Sequence, residues 1–118
     1  VDERTLREIY LPAFELAVAR AQPWTVMCAY NRLNGVHCSD SHWLLTRVLR
    51  EEWGFEGLVI SDWGGTNDRV AGVRNGLDLE MPSSGGLNDK RLVAAIESGA
   101  LEPRALDAAA TRVAAFIL

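Results

Sequence analysis

The sequence predicts an α/β fold built on a parallel sheet, and three observations carry that prediction. Short apolar runs of strand character recur at 25–30, 57–61 and 77–81, separated by stretches of helical periodicity. Alternation at this spacing means βα units joined by right-handed crossovers. The central run, Leu58-Val59-Ile60-Ser61, ends abruptly in Asp62-Trp63-Gly64-Gly65. An acid at the carboxyl end of a buried parallel strand lies where α/β folds, barrels especially, keep their chemistry. Taken alone, Asp62 has two readings: a catalytic carboxylate, or a loop-start residue that fixes a turn or caps a helix at Asn67 or Asp68.

Composition narrows the function classes. The chain has 118 residues, about one small domain, and 48% of them are hydrophobic, enough for a core. Twelve Lys and Arg against 16 Asp and Glu leave a net charge of −4. A mildly acidic chain without a basic run lacks the electrostatic footprint of a nucleic-acid binder. No apolar stretch reaches the length of a membrane span. Val1-Asp2-Glu3-Arg4 opens directly into helical sequence without an initiator Met, so a mature product or a fragment is expected. The compartment is left open. Cys28 and Cys38 form no metal or redox spacing; a free buried thiol is expected for Cys28, and Cys38 falls in a polar loop.

In chain order, residues 3–21 read as a helix with Asp2 as its N-cap. Its apolar stripe is Leu6, Ile9, Tyr10, Ala13, Phe14, Ala17 and Val18. Pro12 is expected to kink or split it. Gln22-Pro23 breaks the helix, and the strand over 25–30 follows. Residues 31–40 read as a polar loop turning at Asn34-Gly35. A helix over 43–53 is capped by Ser41 or Asp40, and Gly54 suits its C′ position. The strand over 57–61 is followed by a short helix over 67–75. The strand over 77–81 stops at Pro82 and the flexible Ser83-Ser84-Gly85-Gly86. A helix over 88–98 ends at Gly99. The last helix starts with Pro103 at N1, with Leu106, Ala110, Val113, Phe116 and Ile117 as its expected buried side. Three strands cannot close a barrel and leave open edges, so a slice of a larger fold is expected.

Four linked blocks then carry a resemblance. They are Glu3-Arg4-Thr5-Leu6-Arg7-Glu8-Ile9-Tyr10-Leu11-Pro12-Ala13-Phe14, Val26-Met27-Cys28-Ala29-Tyr30-Asn31, Leu58-Val59-Ile60-Ser61-Asp62-Trp63-Gly64, and Gly76-Leu77-Asp78-Leu79-Glu80-Met81-Pro82. With Trp43-Leu44-Leu45 and Glu52-Trp53-Gly54-Phe55 between them, they closely resemble the glycoside hydrolase family 3 β-glucosidases over essentially the whole chain. The resemblance implies a partial (β/α)8 TIM-type barrel. Residues 1–118 would be the C-terminal third of that barrel domain, with the remaining barrel and a following α/β sandwich domain absent. It further implies Asp62 as catalytic nucleophile, Trp63 lining the sugar subsite, and Met27 and Tyr30 bordering it. The implied activity is a retaining exo-acting β-glycosidase on terminal β-D-glucosides or β-xylosides. Its substrate is a small carbohydrate, and it needs no metal or organic cofactor. The alternative is an inactive fragment or sugar-binding remnant of such an enzyme.

The chemistry suits these residue types. Retaining glycosidases use two carboxyl groups about 5–5.5 Å apart, one attacking the anomeric carbon and one protonating the leaving oxygen. A tyrosine hydroxyl can donate to the nucleophile, and an indole offers a flat apolar face to a pyranose. In the family the acid/base is a Glu of the following domain, and a Lys-His pair with separate Arg and Asp residues lies upstream; none of these is in this sequence. Trp63 after the acid favours glucosidases or xylosidases over the N-acetylhexosaminidase subgroup. Strand alternation places Asp62 and Trp63 on opposite faces, and Met27 and Tyr30 likewise. These partners converge only if the strands end near Ala29 and Asp62 and the chain turns there.

Other candidates have plainer readings. Asp68, Asp78, Glu80 and Glu56 are expected as caps or ion-pair partners, and His37 and His42 as loop residues. Trp24, Trp43 and Trp53 are expected in the core or in helix packing. Gly64-Gly65-Thr66 ahead of a short helix hints at a phosphate cradle, but without a Lys or a fuller glycine pattern.

Overall fold

Asp2 starts the first helix in the computed structural model, which describes residues 1–118, by accepting from the Thr5 amide at 2.9 Å. The helix begins as α1 (Glu3–Thr5) and widens over Leu6–Tyr10 into a π winding, in which the Leu11 amide donates to the Leu6 carbonyl. Proline has no amide to continue that pattern, so the helix breaks as expected and restarts with Pro12 as the first residue of α2 (Pro12–Ala21). The expected stripe is only partly buried. Leu6 and Val18 are inside, together with Leu11, which the stripe did not include, whereas Ile9, Tyr10 and Phe14 face outward.

Strand β1 (Thr25–Cys28) is two residues shorter than expected. Beyond it, the expected loop contains a small antiparallel hairpin, β2 (Arg32–Leu33) and β3 (Val36–His37). Asn34 and Gly35 close it at φ 50° and 91°, the two positive values that a type I′ turn needs. Two-residue strands are too short to show alternation, which is why the sequence reads as loop. A 3-10 turn (Cys38–Asp40) leads to α3 (Trp43–Glu52), another π-wound helix. As expected, Ser41 caps it, accepting from the Leu44 amide at 3.2 Å.

Strand β4 (Leu58–Ser61) pairs in parallel with β1, setting Met27 opposite Ile60 and Cys28 opposite Ser61. The third expected strand, 77–81, is reduced to a single parallel bridge between Ile60 and Leu79. The Leu79 amide donates to the Val59 carbonyl and the Ser61 amide to the Leu79 carbonyl, but the next rung passes to a side chain: Met81 donates its amide to Ser61 Oγ. A strand needs consecutive backbone rungs, and here only one cycle is completed. The order β1, β4, 77–81 is nonetheless that of successive parallel βα units.

Three helices complete the chain: α4 (Arg69–Asn75), α5 (Leu87–Glu97) and α6 (Pro103–Ile117). Asp68 caps α4, its Oδ1 accepting from the Val70 and Ala71 amides, both at 3.0 Å. The carboxylate that caps this helix is therefore Asp68, not Asp62. Asp68→Ala is expected to cost about 1 kcal/mol, read as a lower denaturation midpoint at unchanged activity.

One core cluster joins Val18, Cys28, Leu45, Leu49, Phe55, Val59 and Leu77, the face of the sheet turned toward α2 and α3. A second joins Val73, Leu92, Ala95 and Leu101 beneath α4 to α6. On α6 the buried residue is Ala109, with Ala105, Leu106 and Val113 half-buried, while Ala110, Phe116 and Ile117 are exposed. In the last turn of that helix the Phe116 ring meets Trp24, edge to face, at a centroid distance of 6.4 Å. Trp24 is 79% exposed, which corrects its core reading. Trp43 instead lies under the Arg7 guanidinium, and Trp53 packs against the core clusters, as expected for helix-packing residues. Cys28 and Cys38 are both buried and unbridged. Burial pushes the Cys28 thiol up to about 11 and raises Cys38 in the same direction.

Asp78 ties the layers together. Its Oδ2 accepts from Arg50 of α3 at 2.7 Å and from the Val59 amide at 2.8 Å, and its Oδ1 accepts from Arg112 of α6 at 2.8 Å. The ion-pair reading of Asp78 is the observed one. The chain exposes 7214 Å², against about 6,300 Å² for a monomer of this mass.

Candidate active site

The site lies where β1 and β4 end together. With Cys28 level with Ser61, the chains leave the sheet at Ala29 and Asp62. Asp62 opens a tight turn: the Gly65 amide donates to the Asp62 carbonyl at 2.8 Å, and Gly64 takes φ 78°. A type II turn demands that positive φ at its third residue, which a side chain resists. Gly65 serves by its size. A Cβ there would lie 3.3 Å from the Tyr30 ring and 3.2 Å from the Asp62 carbonyl.

The turn brings three of the four expected residues together. Asp62 Oδ1 accepts from the Trp63 amide at 2.6 Å, and the Tyr30 hydroxyl donates to the Trp63 carbonyl at 2.5 Å. Tyr30 therefore bonds the turn that carries Asp62 rather than the carboxylate itself. Desolvation first, and the neighbouring Asp62 carboxylate second, hold the Tyr30 phenol above its ordinary pKa. It stays protonated, and a donor, throughout the neutral range. The parity conflict disappears because neither aromatic residue is in a strand: Tyr30 lies in a bend beyond β1 and Trp63 in the turn beyond β4. Both rings face solvent, Tyr30 52% and Trp63 64% exposed.

Met27 stands apart. It pairs with Ile60, two residues before Asp62, is 55% exposed, and has no hydrogen-bonded link to the cluster. It lines an apolar groove of about 500 Å³ with Leu11, Phe14, Val18, Val26 and Leu44, along the free edge of β1.

Flanking groups hold the rim. Arg32 Nε donates to His37 Nε2 at 3.1 Å across the hairpin, so His37 is a strand residue of β3 and not the loop residue expected. Asn67 donates to Asp40 Oδ2 at 2.7 Å, joining the loop after Asp62 to the turn after the hairpin. Glu80 accepts from Asn88 Nδ2 at 2.5 Å. No group of three or more His, Cys, Asp and Glu side chains converges as a metal site, and no helix is long and apolar enough to cross a membrane. The residue that the sequence reading missed is Ser61. Its signal was a lone hydroxyl in a buried apolar strand, immediately before the acid, because a buried hydroxyl requires partners.

A parallel sheet backed by helices, with a carboxylate and two aromatic side chains gathered at its carboxyl edge, is the arrangement of an α/β enzyme domain. Residues 1–116 match the family model of the glycosyl hydrolase family 3 N terminal domain. The chain is 58% identical over 113 residues to thermostable beta-glucosidase B of Acetivibrio thermocellus, covering 96% of this chain and 15% of that protein. It is 57% identical over 107 residues to an exo-alpha-(1->6)-L-arabinopyranosidase of Bifidobacterium breve, covering 91% of this chain and 14% of that protein. The fold superposes with a TM-score of 0.91 on beta-glucosidase 3B from Thermotoga neapolitana in complex with alpha-D-glucose, at 44% identity, covering 95% of this chain and 17% of that one. The chain belongs to glycoside hydrolase family 3. It spans about one seventh of the length of the curated relatives it matches.

Proposed function

We propose that these residues are the nucleophile-bearing part of a retaining exo-β-glycosidase acting on terminal β-D-glucosides or β-xylosides. The observation that carries the reading is the position of Asp62, at the shared carboxyl edge of β1 and β4, in a turn flanked by two exposed aromatic rings. The relatives support the class: a beta-glucosidase at 58% identity and a related structure holding glucose.

In this mechanism Asp62 attacks the anomeric carbon, and the glycosidic bond breaks as a carboxyl group elsewhere in the enzyme protonates the leaving oxygen. Water then cleaves the glycosyl ester, its proton passing to that same group, and Asp62 leaves as a carboxylate. The Trp63 amide, 2.6 Å from Asp62 Oδ1, holds the carboxylate in one orientation between turnovers. The exposed Trp63 ring offers a platform for the sugar's C–H face. Met27 borders the subsite from one pleat below. Residues 1–118 are, on this reading, the last third of the barrel, and the following sandwich domain supplies the acid/base.

The test is trapping with a 2-fluoro glucoside in the full-length polypeptide, followed by peptide mapping. Ester formation on Asp62 supports the reading, and a label on any other carboxylate overturns it. Parallel assays with an arabinopyranoside, prompted by the second relative, read the sugar preference.

The isolated 118 residues are expected to be inactive. Asp62 is the only carboxylate hydrogen-bonded into the Tyr30–Trp63 cluster, and retention needs two. Nitrophenyl glucoside is expected to survive incubation with the purified fragment; hydrolysis above the buffer rate would contradict the two-part assignment.

A further inference from the structure

Asp62 owes its orientation to a break in the sheet, and one hydroxyl makes that break tolerable. At Leu79 β4 and the last segment complete one parallel cycle, the Leu79 amide donating to the Val59 carbonyl and the Ser61 amide to the Leu79 carbonyl. A parallel ladder would continue with the Met81 amide on the Ser61 carbonyl, then the Trp63 amide on the Met81 carbonyl. Neither bond is made. The Met81 amide donates to Ser61 Oγ at 2.8 Å, and the Met81 carbonyl accepts from Ser61 Oγ at 3.1 Å and from the Gly64 amide at 3.0 Å. The Trp63 amide is thereby released, and it donates to Asp62 Oδ1 at 2.6 Å.

We propose that Ser61 is a positioning residue for the reaction: its hydroxyl replaces the missing backbone rungs, clamps Met81, and leaves the Trp63 amide free to orient the Asp62 carboxylate. Ser61 is fully buried (0% exposed) and lies on the strand face opposite Asp62, so it acts through the turn and not on the sugar. With the hydroxyl removed, the amide of half-buried Met81 loses its partner. The strand end then gains either by resuming the regular ladder, which withdraws the Trp63 amide from Asp62, or by loosening. Each result misplaces the attacking oxygen.

The inference rests on Asp62 being the nucleophile, and the experiment separates the two. In the full-length enzyme, the rate of inactivation by a 2-fluoro glucoside is measured for the wild type, Ser61→Ala and Ser61→Cys, with peptide mapping of each product. Ser61→Ala is expected to slow labelling about 10²-fold, the cost of a displacement of roughly an ångström at a reacting group. The loss appears in kcat with KM changed less than about threefold, because the sugar's own contacts are kept. Ser61→Cys, nearly isosteric and a weak hydrogen-bonding group, is expected to fall between the two. Labelling of either folded variant at the wild-type rate overturns the inference while leaving Asp62 in place. A label elsewhere in the wild type overturns the underlying assignment instead. If Ser61→Ala does not fold, Ser61→Cys alone decides.

Discussion

Asp62→Ala in the full-length polypeptide is expected to lower kcat for a nitrophenyl β-glucoside by on the order of 10⁴-fold or more, as loss of a covalent nucleophile does. The fold is expected to survive. Asp62 is only half-buried, and its carboxylate makes one hydrogen bond, to the amide of the next residue. Substitution therefore opens no cavity and strands no distant donor. Circular dichroism and the apparent Tm are expected to stay close to wild type while turnover disappears. The residual activity separates the mechanisms. An added small anion such as azide can take the vacated place and release a glycosyl azide of inverted configuration, because the acid that protonates the leaving group is untouched. Substantial unrescued turnover by Asp62→Ala would sink the nucleophile assignment.

Asp78→Ala is expected to do the reverse, costing about 3–5 kcal/mol of stability as the removal of one partner from a buried ion pair does. The Asp78 side chain is inaccessible to solvent and is shared by Arg50, Arg112 and the Val59 amide. Without it, two guanidinium groups face each other across an empty site, Arg50 with only 14% of its side chain exposed. Desolvation already weighs on the protonated form of Arg50, and Asp78 is the group that counters it. The measurement is the yield of soluble protein and the apparent Tm, with Asp68→Ala as a mild reference. Arg112→Ala combined with Asp78→Ala is expected to cost less than the sum of the two, since one orphaned charge is removed with its partner. A loss below about 1 kcal/mol for Asp78→Ala would show that the hub is dispensable.

Asp62 and Asp78 show how far a sequence carries function. Both are acids near the ends of apolar runs. What separated them in the sequence was the family resemblance, which implied a catalytic role for Asp62, while Asp78 was read as a cap or ion-pair partner. Burial then assigns the buried acid to structure and the half-exposed acid to the candidate site. Where the sequence misled, the contact was distant or the element short. The strand over 77–81 shrank to one bridge because side chains took the flanking rungs, Asp78 the one before it and Ser61 the one after. The hairpin at Arg32–His37 was too brief to produce a period. Phe116 and Ile117 followed the apolar face of α6 beyond the core, where Phe116 meets the exposed Trp24 and Ile117 stays 74% exposed.

By itself the sequence determined the alternation of helix and strand, the break at Pro12, the cap at Asp2, a cap at Ser41 or Asp40, and an acid at the end of the central strand. These are effects of hydrophobic period and of residues within one turn of each other, and they are written locally. Only the tertiary structure decided that Tyr30 bonds the Trp63 carbonyl, that Asp78 gathers arginines from two helices, and that Ser61 clamps Met81. Those partners stand 33, 28, 34 and 20 residues apart. Their meeting depends on the register of β1 against β4 and on the point at which each strand ends, and no periodicity encodes either.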